Sequence, residues 1–325
     1  MQIKISELRS LIIKILSKEN YSVEEAEKMA DVYVFAEATG KNTQGILKLM
    51  GTEPAQNIKP KYAPKIVKET SVSVLIDGGG ASGPLAAQVA VDTMISKAEE
   101  HGFAIAGSSN TFSSTGALSY YAHKIAKHNL IGIVAAGSPR AVAFHGGIEP
   151  VFGTNPIAFG FPTNEQPVVF DMATSAMTFY GLVRANALGQ SIPENIAIDT
   201  QGNPTTDPAE AMSGALLPFD RSYKGSGLGL IVELLTGPLT GASYVFDNGD
   251  WGTFFMAFSP NLLGDVETFK KNASDLILKV KGAKTQPGQK IHIPGYDTLA
   301  ESEKILEQDG SIEMEDSLIQ KLKAL

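Results

Sequence analysis

Three short stretches combine residue types that could hold a ligand. Gly153-Thr-Asn-Pro-Ile-Ala-Phe-Gly-Phe-Pro162 sets a Gly/Asn/Pro turn between β-forming runs, and the apolar run Val168 to Phe170 leads straight into Asp171-Met172-Ala173-Thr174-Ser175. An acid and hydroxyls where a buried strand stops can contact a ligand, and they can equally cap a following helix. Tyr223-Lys224-Gly225-Ser226-Gly227-Leu228 precedes an apolar helix-like run from Leu228 to Leu235. There Ser226 would cap the helix, the glycines would let a ligand reach the backbone, and Lys224 would add a cation to an amide-rich terminus, an anion site in outline. The plainer reading is a solvated lysine before a buried helix. Gly78-Gly-Gly80-Ala-Ser-Gly83 follows a strand and precedes a helix from about Pro84, matching the dinucleotide fingerprint letter for letter. That fingerprint needs an acid at the end of the next strand, which here reads Gly107-Ser108-Ser109, so a packing turn is the better reading.

Proton chemistry would ordinarily be sought at histidine. His123 and His128 sit beside lysines on a predicted helix and read as solvated, His101 closes another helix, and His292 falls in a C-terminal strand. His145, ahead of Gly146-Gly147, is the candidate acid near the expected cleft, against a packing role. No His/Asp/Glu set has metal-ligand spacing, and no nucleophile elbow is present.

The elements that must position these residues fall into zones. The 325 residues are 43% hydrophobic and 19% charged, enough for two domains with sizeable cores. Residues 4 to 39 read as two amphipathic helices, the second opened by a capping box at Ser22 and Glu25. Thr39 to Pro64 reads as loop and short helix. Runs at Val72 to Ile76, Phe103 to Ala106, Leu130 to Ala136 and Val168 to Phe170 mark a β-rich zone, and helical periodicity returns from Val266, broken at Pro287, Pro294 and Gly295 before a last helix near Leu318 to Leu325. The expected fold is mixed α/β: a β-rich domain over 71–265, and a helical domain assembled from 1–70 and 266–325. A net charge of −8 argues against nucleic acid, charges scattered through the N-terminal helix argue against a membrane span, and zero cysteines exclude disulfides and thiolate sites. A soluble, cytoplasmic protein is expected.

Taken in order, Gly147-Ile-Glu149, Gly153-Thr-Asn-Pro-Ile-Ala158, Phe170-Asp-Met-Ala-Thr-Ser175, Gly202-Asn-Pro-Thr-Thr-Asp207, Leu217-Pro218, Lys224-Gly-Ser-Gly-Leu228 and Ile293-Pro-Gly295 resemble the malate/L-lactate dehydrogenase family. That family includes sulfolactate and ureidoglycolate dehydrogenases, diketogulonate reductase and Δ1-piperideine-2-carboxylate reductase. The resemblance runs through nearly the whole chain. It implies an NAD(P)-dependent oxidoreductase with a non-Rossmann dinucleotide-binding fold, a homodimer, and hydride transfer in a cleft. The cofactor, NADH or NADPH, would touch Ser138, Asp171, Met172, Ala173, Thr174, Ser175, Lys224, Gly225 and the stretch after Pro294, including Gly295.

The chain departs from the family at its catalytic end. Where relatives carry Ser-His-Gly followed by an arginine, this chain has Thr43-Gln44-Gly45 and then Lys48; a second family histidine falls at Asn110-Thr111-Phe112-Ser113, with no histidine at a neighbouring position. A positioned acid is worth about 10²- to 10⁴-fold in ketone reduction. Gln44 has no proton to give, although its amide can donate a hydrogen bond. Lys48 can pair with a carboxylate as a point charge. A protonated cyclic imine is already electrophilic, so the altered residues turn the expectation toward a cyclic imine or 2-oxo acid reductase, with a diverted reaction or a non-catalytic binding dimer as the alternatives.

Overall fold

The computed structural model describes residues 1–19, 21–50, 57–244 and 249–325. The chain opens with β1 (Gln2–Lys4), α1 (Ile5–Lys18), α2 (Val23–Ala38), a 3-10 turn at Asn42–Gln44 and α3 (Leu47–Met50). It continues through β2 (Lys65–Thr70), β3 (Ser73–Ala81), α4 (Gly83–His101), β4 (Phe103–Thr111), α5 (Leu118–Lys127), β5 (Ile131–Ala136), β6 (Val142–Ala143), β7 (Pro150–Phe152), β8 (Ile157–Phe161) and β9 (Val168–Met172). The remainder is α6 (Phe179–Ala187), β10 (Ala197–Ile198), α7 (Pro208–Ser213), β11 (Ala215–Leu216), α8 (Tyr223–Thr236), β12 (Thr253–Phe258), α9 (Val266–Lys281), α10 (Tyr296–Glu307), β13 (Ser311–Glu313) and α11 (Asp316–Ala324).

Seven strands in the order β2-β3-β4-β12-β5-β8-β9 make the central sheet. Only β3 and β4 run parallel among the described pairs of that sheet, joined over α4; the rest are antiparallel. A doubly wound dinucleotide fold would need a parallel sheet, so this architecture is mixed α/β and not Rossmann. One face of the sheet buries Val74, Ile76, Val134 and Phe255 beneath α4, α5, α2 and α10. The other packs Ala135, Ile157 and Phe254 against Val232 of α8. A smaller sheet, β10-β11-β6-β7, carries α6 and α7 over its own core of Leu182, Ile196 and Leu216.

The chain ends meet: β1 pairs antiparallel with β13, and Leu8, Ile12, Leu16 and Met29 share a core with Ile312, Ile319 and Leu322. The capping box forms, with Ser22 Oγ accepting from Glu25 N–H and the Glu25 carboxylate accepting from Ser22 N–H. Contacts cross both of the boundaries drawn on the sequence. The 70/71 boundary cuts the β2–β3 hairpin, whose register runs from Lys65 opposite Asp77 to Thr70 opposite Ser73. At the other, α9 leans on the β8–β9 turn, where Ser274 Oγ donates to Glu165 and accepts from Asn164 N–H. Positions 51–56 of the expected loop lie outside the described residues.

Candidate active site

A cleft of about 750 Å³ opens between the 40–48 segment, the loop after β4, the loop after β5, the end of β9 and the start of α6. The glycine fingerprint does not contribute a phosphate site. Gly78, Gly79 and Gly80 lie inside β3, and a Cβ on Gly83 would overlap the carbonyls of Ser113 and Ser114, so the N-terminus of α4 is filled by its own chain.

One wall is backbone-rich. Gly153 lets β7 turn against Ser138, whose hydroxyl accepts from Thr154 N–H at 3.0 Å; a Cβ at Gly153 would overlap that hydroxyl. Asp171, Met172 and Ala173 reach the cleft from the end of β9. Asp171 Oδ2 accepts from Ser119 N–H at 3.0 Å, supplying the side-chain cap that α5 lacks, and pairs with Lys41 Nζ at 2.6 Å. Thr174 and Ser175, expected as cofactor contacts, are buried behind the wall: Thr174 Oγ1 donates to Thr154 O and Ser175 Oγ to Met177 O.

The facing wall is charged. Helix α2 ends in a Schellman motif, with Gly40 in the left-handed region (φ +72°), Gly40 N–H bonding Glu37 O and Lys41 N–H bonding Ala36 O. This reversal sends Lys41 to the cleft and starts the 3-10 turn that presents Thr43 and Gln44. Beneath the turn lies Glu37, 5% exposed, whose Oε1 accepts from Ile46 N–H at 2.8 Å. Gly45 leaves room for that carboxyl, since a Cβ there would overlap Oε1. Burial pushes the Glu37 carboxyl up to about 7. Lys48 is buried with its ammonium 4.8 Å from the centre of the Tyr180 ring, and Tyr180 Oη donates to Leu47 O, which clamps α3 to α6.

Of the residues expected to carry chemistry, Thr43, Gln44 and Lys48 border the cleft, whereas Ser113 and His145 do not. Ser113 is buried with its hydroxyl accepting from Gly83 N–H at 2.9 Å; its neighbours Ser114 and Thr115, in the loop after β4, border the cleft. His145 sits on an exposed turn, and only its backbone N–H is engaged, by Ser226 Oγ. At Lys224 and Gly225 the helix start differs from the expected one. Helix α8 begins one turn earlier than Ser226, with Ser222 as N-cap, and the Asp220 carboxylate accepts from the N–H groups of Ser222 and Gly225. These bonds, the Ser222 hydroxyl foremost, hold the Asp220 carboxyl below its usual range, so an anion is already in place. Gly295 borders a separate side cavity with Lys41 and Asp171, and packs on the Val169 carbonyl.

Two of the histidine readings change as well. His123 is half-buried, 2.6 Å from Glu303 on α10, and burial lowers its pKa. His292 lies in an irregular stretch and not in a strand. No group of His, Asp and Glu able to hold a metal is present among the described residues.

Residues missed by the sequence reading are Lys41, Arg140, Tyr180 and Thr115, all bordering the cleft. Lys41 had a signal, the Thr39-Gly40 helix stop that aims the next side chain. Thr115 Oγ1 is buried without a hydrogen-bond partner among the described residues, as a wall expecting a ligand's polar group would leave it. With the cleft's volume and the Ser138 hydroxyl, it fits a nicotinamide end and a small substrate. The residues able to hold them are Ser138, Thr115 and 171–173 on one side and Lys41, Gln44 and Lys48 on the other.

The family model for malate/L-lactate dehydrogenase matches residues 3–323. Malate/(S)-sulfolactate dehydrogenase of Methanothermus fervidus is 36% identical, covering 100% of this chain and 97% of the relative. The Δ1-pyrroline-2-carboxylate/Δ1-piperideine-2-carboxylate reductase of Pseudomonas putida is 30% identical over 89% of each. The crystal structure of malate dehydrogenase from Entamoeba histolytica superposes with a TM-score of 0.90 at 25% identity, over 100% of this chain and 96% of that one. No helix among the described residues is long and apolar enough to cross a membrane. The chain belongs to the malate/L-lactate dehydrogenase family, and is an oxidoreductase that uses a nicotinamide cofactor on a carboxylate substrate.

Proposed function

We propose that this enzyme interconverts 2-oxo and 2-hydroxy acids bearing a second anionic group, with NADH or NADPH as the hydride carrier. The observation that carries the reading is the charge of the cleft: Lys41, Lys48 and Arg140 border it, with Asp171 as the single carboxylate among the described lining residues. Basic side chains on the wall attract the anionic ends of a substrate, as in the substrates for which the Methanothermus relative is named. Gln44 and Lys48 would orient the substrate, and Ser138 with 171–173 would position the dinucleotide. The bound cofactor supplies the hydride.

A second reading, reduction of a cyclic imino acid, is favoured by a different observation. No histidine borders the cleft among the described residues, and a protonated imine needs no proton donor at the hydride step. A panel of oxaloacetate, sulfopyruvate, pyruvate and Δ1-piperideine-2-carboxylate, each with NADH and NADPH, separates the two. The first reading expects kcat/KM for the dianions to exceed that for pyruvate by about 10- to 100-fold, the worth of one charge-assisted contact. Turnover of the imine alone selects the second, and no turnover together with no quenching of NADH or NADPH fluorescence rejects both.

The enzyme works as a homodimer on this reading. Leu230, Ile231 and Leu234 leave an exposed apolar face on α8 that a second copy would cover. Light scattering of wild type and Ile231→Glu, expected as dimer and monomer, tests it.

A further inference from the structure

A reductase of 2-oxo acids must deliver a proton to the oxygen that receives negative charge, and both histidine positions of the family are lost here. What the cleft offers instead is an ion pair. Lys41 Nζ lies 2.6 Å from Asp171 Oδ2, with the lysine side chain 34% and the aspartate side chain 11% exposed. The second oxygen-bound donor, Ser119 N–H, fixes Asp171 to the start of α5. Lys41 is therefore held at a set place, and two of its three N–H donors remain for other partners.

The pair also stands between two spaces. Lys41 and Asp171 border the main cleft and a side cavity of about 160 Å³, which Thr39, Ser119, Gly295 and Thr298 also line. Ser119 Oγ is buried without a hydrogen-bond partner among the described residues. The rest of its lining is largely apolar, Phe35, Val169, Phe170 and Leu299 included, so Lys41 and Asp171 are its charged groups among the described residues.

Resting on the 2-oxo acid reading above, we propose that Lys41, oriented by Asp171 between the cleft and the side cavity, is the proton donor of this enzyme and takes the place of the absent histidines. A bound reduced nicotinamide would supply the hydride, one of its C–H bonds breaking as the C–H bond at the carbonyl carbon forms. The π pair moves to oxygen, an O–H bond forms, and one N–H bond of the Lys41 ammonium breaks. The neutral amine regains a proton from solvent hydronium or buffer acid through the open main cleft, so that each turnover consumes one solvent proton. In the direction of oxidation the same amine accepts the hydroxyl proton. Asp171 keeps the amine in place throughout and stays ionised.

Lys41→Arg tests this sharply, because arginine keeps the charge and the pairing with Asp171 but does not give up its proton. The full chain is compared as wild type, Lys41→Arg and Lys41→Met. Three measurements are made: kcat for 2-oxo acid reduction, the Kd of NADH and NADPH by fluorescence, and the rate at which acetic anhydride labels Lys41 of the wild type with and without reduced dinucleotide plus oxalate. The proposal expects both variants to lose about 10²- to 10⁴-fold in kcat with dinucleotide affinity and melting temperature kept, and labelling of Lys41 to be suppressed by the ligands. Rescue of kcat by arginine would reduce Lys41 to a structural partner of Asp171 and overturn the proposal while leaving the 2-oxo acid reading intact. Labelling unaffected by ligands would overturn it even where the variants fail to fold. Absence of both turnover and dinucleotide binding in the wild type would overturn that reading and the proposal together.

Discussion

On one side of the cleft the hydroxyls of Ser138, Thr174 and Ser175 are engaged by neighbouring backbone groups, whereas on the other a single buried carboxyl, Glu37, supports a short segment that projects Lys41, Gln44 and Lys48. The first wall is shape: strand ends, tight glycines and few free polar atoms, which hold a surface at a fixed position. The second is charge on a turn. A wall of the first kind resists change because almost any added atom overlaps backbone. A wall of the second kind can trade a histidine for a glutamine, or an arginine for a lysine, without moving its own main chain. The difference fits a chain that shares its relatives' architecture while carrying Gln44 and Lys48 where the family resemblance expects a histidine and an arginine.

The backbone-rich wall is the easier to break. Gly295 has φ +72°, and a Cβ on it would overlap the carbonyl oxygen of Val169 in β9, the strand that ends at Asp171. Gly295→Ala combines left-handed strain with a backbone clash and is expected to cost about 3 to 5 kcal/mol. Urea unfolding measures it. A loss below about 1 kcal/mol would show that β9 yields, contrary to a wall held by close packing.

The charged wall is the one that feels pH. Burial holds the Glu37 carboxyl up at about 7 in the folded chain against the ordinary 4.5, so folding takes up a proton between these values. The contribution to stability is present below 4.5 and is lost as pH rises through about 7, on the order of 3 kcal/mol. Glu37→Gln removes that titration: its stability should be level across the interval and exceed that of the wild type above neutrality. Melting temperatures measured across this range decide it, and a wild-type profile already level there would contradict the buried charge.

Lys48 sharpens the comparison by testing the charge on the second wall. Lys48→Met keeps the apolar stem against Tyr180 and removes the ammonium. For a 2-oxo acid, kcat/KM should fall about 10- to 100-fold, mostly through KM, with dinucleotide affinity unchanged. An equal loss of dinucleotide affinity would mean that the two walls are not divided between substrate and cofactor.

Much of the fold was legible because it rests on local signals. The capping box at Ser22, the strands at Phe103 and Ile131, and the turn at Gly153 are written in neighbouring residues. The blocks around Gly153 and Asp171 were legible as turn and strand end for the same reason, and the structure brings Asp171 to the edge of the cleft. Arg140 was not, and for Lys41 the Thr39-Gly40 helix stop marks a turn without saying that its side chain meets Asp171 from 130 residues away. The α8 terminus misled for a physical reason: Ser222 and Asp220, just upstream of the glycines, cap the helix first, so Lys224 adds its charge to amides already engaged. Likewise, the parallel β3–α4–β4 unit has the shape of a nucleotide site, but Ser113 and Ser114 occupy its helix terminus.

Ser113 gives the smallest and most discriminating test of that last point. It stands in the segment where relatives carry a histidine, yet its hydroxyl accepts from Gly83 N–H and lies 3.1 Å from Ser82 Oγ, buried beside the α4 terminus and off the cleft. A hydroxyl in that position stabilises a helix start, so Ser113→Ala should cost about 1 kcal/mol and leave kcat as it was. A proton-relay role makes the opposite forecast, unchanged stability with kcat falling tenfold or more. Urea unfolding and steady-state kinetics on the one variant tell the two apart, and with them whether the β4 side contributes only surface while proton chemistry has moved to the charged wall.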